Sequence, residues 1–234
     1  VTNARALVFQ GSFGDPTLPK ANLFYTSPLQ YAVYDWAADG LPLGPIANWQ
    51  SLNGGASFNA DPAGVPTVID SGGSRAVSFD GVNDRMRIQY SRTTPHTIAA
   101  VFRLVNPEPG AAILYGYLNA SPGSIMRSTV GDTLAANNGS TWITPSPDIP
   151  SDTSWHVALL SLDGANTVLR IDGKEATGNF AAGNRDGLTL GFKSGGNFRA
   201  AIEYKRVVQF SGPAVASTRS AIVNSLAARY GIAQ

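Results

Sequence analysis

The 234-residue sequence contains no cysteine and little charge, with only 14% of residues Asp, Glu, Lys or Arg. The lack of cysteine excludes a disulfide framework and a thiolate metal site. A formal net charge of +1 gives no electrostatic footprint for nucleic acid or an acidic membrane. No run of about 18 apolar residues occurs, so no membrane insertion is expected, and no signal-like N-terminus is visible. Histidine is limited to His96 and His156, and glutamate to Glu108, Glu175 and Glu203. Turn formers, by contrast, are abundant: 25 Gly and 15 Pro accompany 43% hydrophobic residues. That balance predicts many short strands in one large core and argues against a helical bundle or a disordered tail.

The hydrophobic pattern divides the chain into an arm and a regular part. Residues 1–30 carry one short strand candidate, Ala6 to Phe9, followed by Gly/Pro punctuation, and read as an extended arm or irregular wrap. Residues 31–234 read as one sandwich. Short strands are expected at Tyr31 to Asp35 and Asn48 to Ser51. Stronger ones are expected at His96 to Leu104, Ala112 to Tyr117, Trp155 to Leu162, Thr167 to Ile171, Leu188 to Phe192 and Arg199 to Phe210. Arg75 to Ile88 reads as a hairpin, because alternating strands flank Asp80-Gly81. Asp163-Gly164, Asp172-Gly173 and Asp186-Gly187 carry the same turn chemistry. At the C-terminus, Ile222, Val223, Leu226, Ala227 and Tyr230 share one face of a helix over 218–230. Ser217 is its expected N-cap and Gly231 its left-handed stop, and the apolar stripe is expected against the sandwich edge.

Several of these segments together resemble laminin-G-like, concanavalin-A-like lectin domains. Phe79-Asp80-Gly81 with Asp84 resembles the "F-D-G-x-x-D" segment of that family. Trp155-His156-Val157-Ala158 resembles its "W-H-H-V-A" strand, although one His stands where the family has two. Leu169 to Gly173 is similar to "L-Y-V-D-G", Leu188 to Gly191 to "L-x-I-G", and Ala201 to Tyr204 to "I-D-E-V". The resemblance covers roughly residues 31–232. It implies an all-β jelly-roll sandwich of two antiparallel sheets with a closing amphipathic helix.

Catalytic equipment is sparse. A glycoside hydrolase needs two carboxylates flanking the scissile bond, and no Glu-x-Asp-x-x-Glu strand occurs. No Gly-x-Ser-x-Gly elbow accompanies the two histidines, and His156, inside an apolar strand, reads as a hydrogen-bonded structural residue. The chain is therefore expected not to be an enzyme. Asp80, Asn83 and Asp84 offer three side-chain oxygens within five residues, which a Ca²⁺ ion could use. Turn hydrogen bonds explain the same residues, and that reading is preferred because further ligands must come from elsewhere. No other cofactor is expected.

Sugar recognition on such folds uses exposed aromatic rings with amides and charged groups beside them. Trp142, in a polar loop with Asn137 and Asn138, is the candidate platform, joined by Tyr117, Asn119 and Arg127 if the loops converge. The alternative is that Trp142 caps the sandwich or fills a subunit contact. Trp49 and Trp155 fit core positions better. The arm residues Leu7, Val8, Phe9, Phe13, Leu18 and Phe24 have no obvious place in the sandwich and are candidates for strand addition to a neighbouring subunit. With the ending Leu226-Ala-Ala-Arg-Tyr-Gly-Ile232, they resemble virion proteins of bacteriophages. That resemblance implies a non-enzymatic tail or capsid surface protein, assembling with other virion proteins and its own copies and binding cell-surface glycans. A carbohydrate-binding module of a secreted bacterial enzyme or adhesin is the competing class, and a divergent glycoside hydrolase a third.

Overall fold

A computed structural model describes residues 27–93, 95–106, 112–114, 124–127, 133–137, 141–146, 148–180, 184–191 and 201–234. In chain order the first strands are β1 (Tyr34–Ala37), β2 (Gly44–Pro45), β3 (Asn48–Gln50), β4 (Ser57–Ala60), β5 (Thr67–Asp70) and β6 (Arg75–Asp80). Then come β7 (Met86–Thr93), β8 (His96–Asn106), β9 (Ala112–Leu114), β10 (Ser124–Arg127), β11 (Leu134–Asn137) and β12 (Trp142–Ile143). The last are β13 (His156–Leu162), β14 (Thr167–Ile171), β15 (Lys174–Gly178), β16 (Asn184–Leu190) and β17 (Ala201–Ser211), before helix α1 (Ala216–Tyr230).

The architecture is the expected all-β sandwich. One layer is a nine-stranded sheet in the order β15-β14-β13-β8-β17-β6-β5-β2, with β1 also paired to β17. Facing it are two four-stranded sheets, β16-β7-β4-β3 and β12-β11-β10-β9. A single apolar core joins them: Trp36, Phe102, Leu160 and Tyr204 from the large sheet meet Phe58, Met86 and Leu188 from one small sheet and Leu134, Ala136 and Ile143 from the other. Trp49 is fully buried there, and its indole N–H donates to the Ala37 carbonyl at 3.1 Å.

Several sequence expectations change. Tyr31 does not begin a strand. Pro28–Tyr31 forms a 3₁₀ turn capped by the Ser27 hydroxyl, and β1 starts at Tyr34. The segment from Arg75 to Ile88 is not a hairpin: β6 pairs with β5 and β17, whereas β7 pairs with β4 and β16, so Asp80 to Arg85 crosses between layers. Asp186-Gly187 is not a turn either. It lies within β16 at a register shift, where a Cβ on Gly187 would stand 2.1 Å from the Ile88 carbonyl oxygen.

Helix α1 starts at Ala216, two residues before the expected start, and no side chain caps it, so Ser217 is not the N-cap. Its stop is the expected one: Gly231 has φ 65°, and the Ile232 N–H closes onto the Ala227 carbonyl at 2.9 Å. The helix does not sit at the sandwich edge. Ile222, Val223, Leu226 and Ala227 form a second apolar cluster with Ala99 and Val101 of β8, Val157 and Leu159 of β13 and Val208 and Phe210 of β17. Leu29 of the 3₁₀ turn joins them. The helix thus covers the outer face of the three central strands. This explains their near-continuous apolar runs, since strands buried on both faces lose the alternation of half-buried ones.

Candidate functional site

The Asp80 to Asp84 crossover is built by its own polar groups. One Asp80 carboxylate oxygen accepts the N–H groups of Val82, Asn83 and Asp84 at 2.7, 3.1 and 3.1 Å. The Asp84 carboxylate accepts the Asp80 N–H at 3.0 Å, and the Asn83 amide donates to the Ala63 carbonyl at 2.6 Å. Partial burial opposes ionisation of Asp80, but these backbone donors outweigh it and hold the carboxyl below the usual range. Burial, and then the Asp80 charge, push Asp84 upward. One oxygen each of Asp80 and Asp84 and the amide nitrogen of Asn83 thus shape the corner between the two layers.

Trp142 and Asn137 are brought together. They are directly opposed in the β11–β12 pair, so their side chains stand on the same face. Their neighbours Ala136 and Ile143, also opposed, belong to the core. That alternation turns Trp142 outward, where it is 41% exposed. Gly178 permits the close seat of β12 on β15, because a Cβ there would lie 2.4 Å from Ile143 Cγ1. Arg127 lies on β10, which β11 separates from the β12 strand of Trp142. It pairs with Leu134 at the opposite end of β11, about 10 Å along the strand from Asn137. Tyr117, Asn119 and Asn138 lie outside the described residues, as do the arm residues Leu7, Val8, Phe9, Phe13, Leu18 and Phe24.

A second constellation, which the sequence reading did not assemble, surrounds His156. Its Nδ1 donates to Asp172 at 2.6 Å, and its Nε2 lies 3.3 Å from the Asp152 carboxylate. The other Asp172 oxygen accepts the Val157 N–H at 2.8 Å. Asp172 and Gly173 both have positive φ, 43° and 79°, as a two-residue type I′ hairpin requires. The resembling segments Trp155-His156 and Asp172-Gly173 are therefore each other's partners: the aspartate that makes one turn also ties it to the neighbouring strand.

Trp155 is not a core residue. It lies half-buried on the outer face, with the Lys205 ammonium 4.2 Å and the Arg103 guanidinium 5.1 Å from its ring centroid. Burial, and then the Arg103 charge, lower the Lys205 pKa. Lys205 also faces the Tyr230 ring at 5.6 Å, and the Tyr230 hydroxyl donates to Asp39 at 3.1 Å. Burial, followed by the Asp39 charge, pushes Tyr230 up to about 12. The register shift in β17 between Tyr204 and Arg206 creates this arrangement. Ile202, Tyr204 and Val207 reach the core while Lys205 and Arg206 emerge on the other side, where Arg206 pairs with Asp35. Two adjacent cations inside an apolar run were the available signal for that bulge.

An open cleft of about 530 Å³ runs between Trp155, His156 and the chain end at Tyr230 to Ala233. A smaller cavity of about 320 Å³ separates α1 from the 3₁₀ turn and is lined by Arg206, Arg229, Asn53 and Ser225.

No protein-family model matches the sequence, and no curated protein matches it. Solved structures do share the fold. Domain 4 of AbnA, an extracellular GH43 arabinanase from Geobacillus stearothermophilus, solved in complex with arabinotriose, is similar over 82% of this chain and 98% of that one, with 12% identity and a TM-score of 0.58. A GH54 α-L-arabinofuranosidase matches over 86% of this chain and 60% of that one, with 12% identity and a TM-score of 0.63. Trypanosoma rangeli sialidase in complex with sialic acid matches over 89% of this chain and 35% of that one, with 11% identity and a TM-score of 0.57. This chain therefore spans a whole domain of the first but only part of the other two. These similarities correct the expectation that the chain is not an enzyme. The missing carboxylate motif argued against one, yet these matching structures are glycosidases or a glycosidase domain. None of them is a virion protein.

Proposed function

We propose that the chain is a carbohydrate-binding domain of a glycosidase-type protein, with Trp142 as its sugar platform and Asn137 beside it. The observation that carries this reading is the outward, 41% exposed indole opposed to an amide on one sheet face. An indole offers an apolar surface to the C–H face of a sugar ring, and an amide exchanges hydrogen bonds with its hydroxyls. The fold shared with an arabinanase domain in complex with arabinotriose supports the substrate class. A secreted or cell-surface setting follows from such substrates. Placement on a virion rests only on the resemblance of the closing segment and the arm, and a glycan-directed domain would serve there by the same chemistry.

The test is binding of arabinotriose and a panel of neutral oligosaccharides by titration calorimetry. Covering the exposed part of the indole contributes roughly 2 kcal/mol, so Trp142→Ala should weaken binding about thirtyfold without loss of fold. Unchanged affinity in a folded Trp142→Ala protein would remove Trp142 from the site.

A further inference from the structure

We infer that the cleft at His156 is a second saccharide site, selective for neutral sugars and separate from Trp142. The inference rests on the carbohydrate reading above but uses different residues. The cleft volume of about 530 Å³ falls within the range of small-ligand pockets, about 300–1,000 Å³. Trp155 and Tyr230 supply aromatic walls, and Asp152 and Ser154 supply polar groups. The two kinds of surface converge, as a ring with one apolar face and a hydroxyl rim requires.

The polar groups are held in place and divided in role. Both Asp172 oxygens are engaged, by His156 and by the Val157 N–H, so Asp172 braces the imidazole. Asp152, whose side chain is 52% exposed, is the acceptor open to a ligand. Partial burial would raise its pKa, but the Ser154 N–H and hydroxyl, with His156, hold it low, so it is ionised at neutral pH. Among the described residues no Lys or Arg lines the cleft. The Lys205 ammonium is buried against the Trp155 and Tyr230 rings and is not part of the lining, so the ionised acceptor in the cleft favours hydroxyl donors and disfavours a carboxylate-bearing sugar. His156 packs 5.7 Å from the Phe102 ring and is braced by Asp172, with its Nε2 standing 3.3 Å from Asp152.

The experiment compares the full chain with Trp142→Ala, Ala233→Trp and Asp152→Asn. Ala233 is exposed at the cleft rim, so a bulky side chain there obstructs the cleft without entering a core. Calorimetry with arabinotriose and the neutral panel should give two sites in the wild type. Ala233→Trp and Asp152→Asn should each weaken one site at least tenfold and leave the Trp142-dependent site intact. In Trp142→Ala, neutral sugar should still shift the amide resonances of residues 152–157, and sialic acid should not. A single site abolished by Trp142→Ala, with resonances 152–157 unmoved, overturns the second site and leaves the first. Binding that ignores Trp142 but is lost in Ala233→Trp upholds the cleft and overturns the Trp142 reading. Absence of binding to every neutral sugar, with no shift at 152–157, overturns both.

Discussion

At the scale of single residues, short-range chemistry governs what can be changed. Asp172 combines a positive φ with two hydrogen bonds to the neighbouring strand. Asp172→Ala leaves His156 and the Val157 N–H without that partner and sets at φ 43° a residue that tolerates the left-handed region less well than aspartate, so it should cost about 2–3 kcal/mol in urea unfolding. Asp172→Asn should cost less, because asparagine tolerates this conformation and keeps an acceptor. Gly64 tests the layer crossover in the same way. A Cβ there would meet the Asn83 carbonyl oxygen at 2.2 Å, and backbone has little room to yield. Gly64→Ala should therefore lower thermal stability by about 2 kcal/mol or more. The Asp172-Gly173 turn was legible in the sequence because everything that makes it is local. The bond from Asp172 to His156 was not, since it depends on the antiparallel register of two strands.

At the scale of elements, the apolar stripe of α1 could be read directly, and its destination could not. Spacing identifies which face of a helix is buried, but it carries no information about which surface receives it. The receiving surface is visible in retrospect in β8, β13 and β17, whose runs lack the alternation of a half-exposed strand. Leu226 is fully buried between helix and sheet. Leu226→Ala should cost about 2–5 kcal/mol by chemical denaturation, the range for a core truncation. A surface-lying helix would give a far smaller loss. The crossover at Asp80 to Arg85 shows the same limit. Its turn residues announce a reversal, but β6 finds partners in β5 and β17, and the latter lies more than 120 residues away in sequence. The Trp142 pair was partly legible, since Asn137 was named with it, but their direct opposition depends on the sheet's register, which spacing in the sequence does not carry.

For the molecule as a whole, ionised carboxylates tie stability to pH. The Ala63 N–H, followed by Arg85, lowers Asp61, and the Arg219 hydrogen bond lowers Glu175 against partial burial. Asp80 is lowered by its turn amides despite burial. A depressed folded-state pKa gives stability that is present at neutral pH and lost as pH falls through the folded value. Asp84, raised mainly by burial, acts in the opposite sense and gains on acidification. Four lowered carboxyls, Asp152 included, against one raised predict falling urea midpoints below roughly pH 4, where unfolded carboxyls begin to take up protons. Asp61→Asn should reduce stability at neutral pH and flatten that acid limb, and an unchanged limb would remove Asp61 from the account. The double-walled centre of the sandwich has one more consequence. Strands β8, β13 and β17 are sealed on one side by the interlayer core and on the other by α1. Their amide hydrogens can reach deuterium only when both walls open, so they should be the last to exchange and should report the free energy of global unfolding.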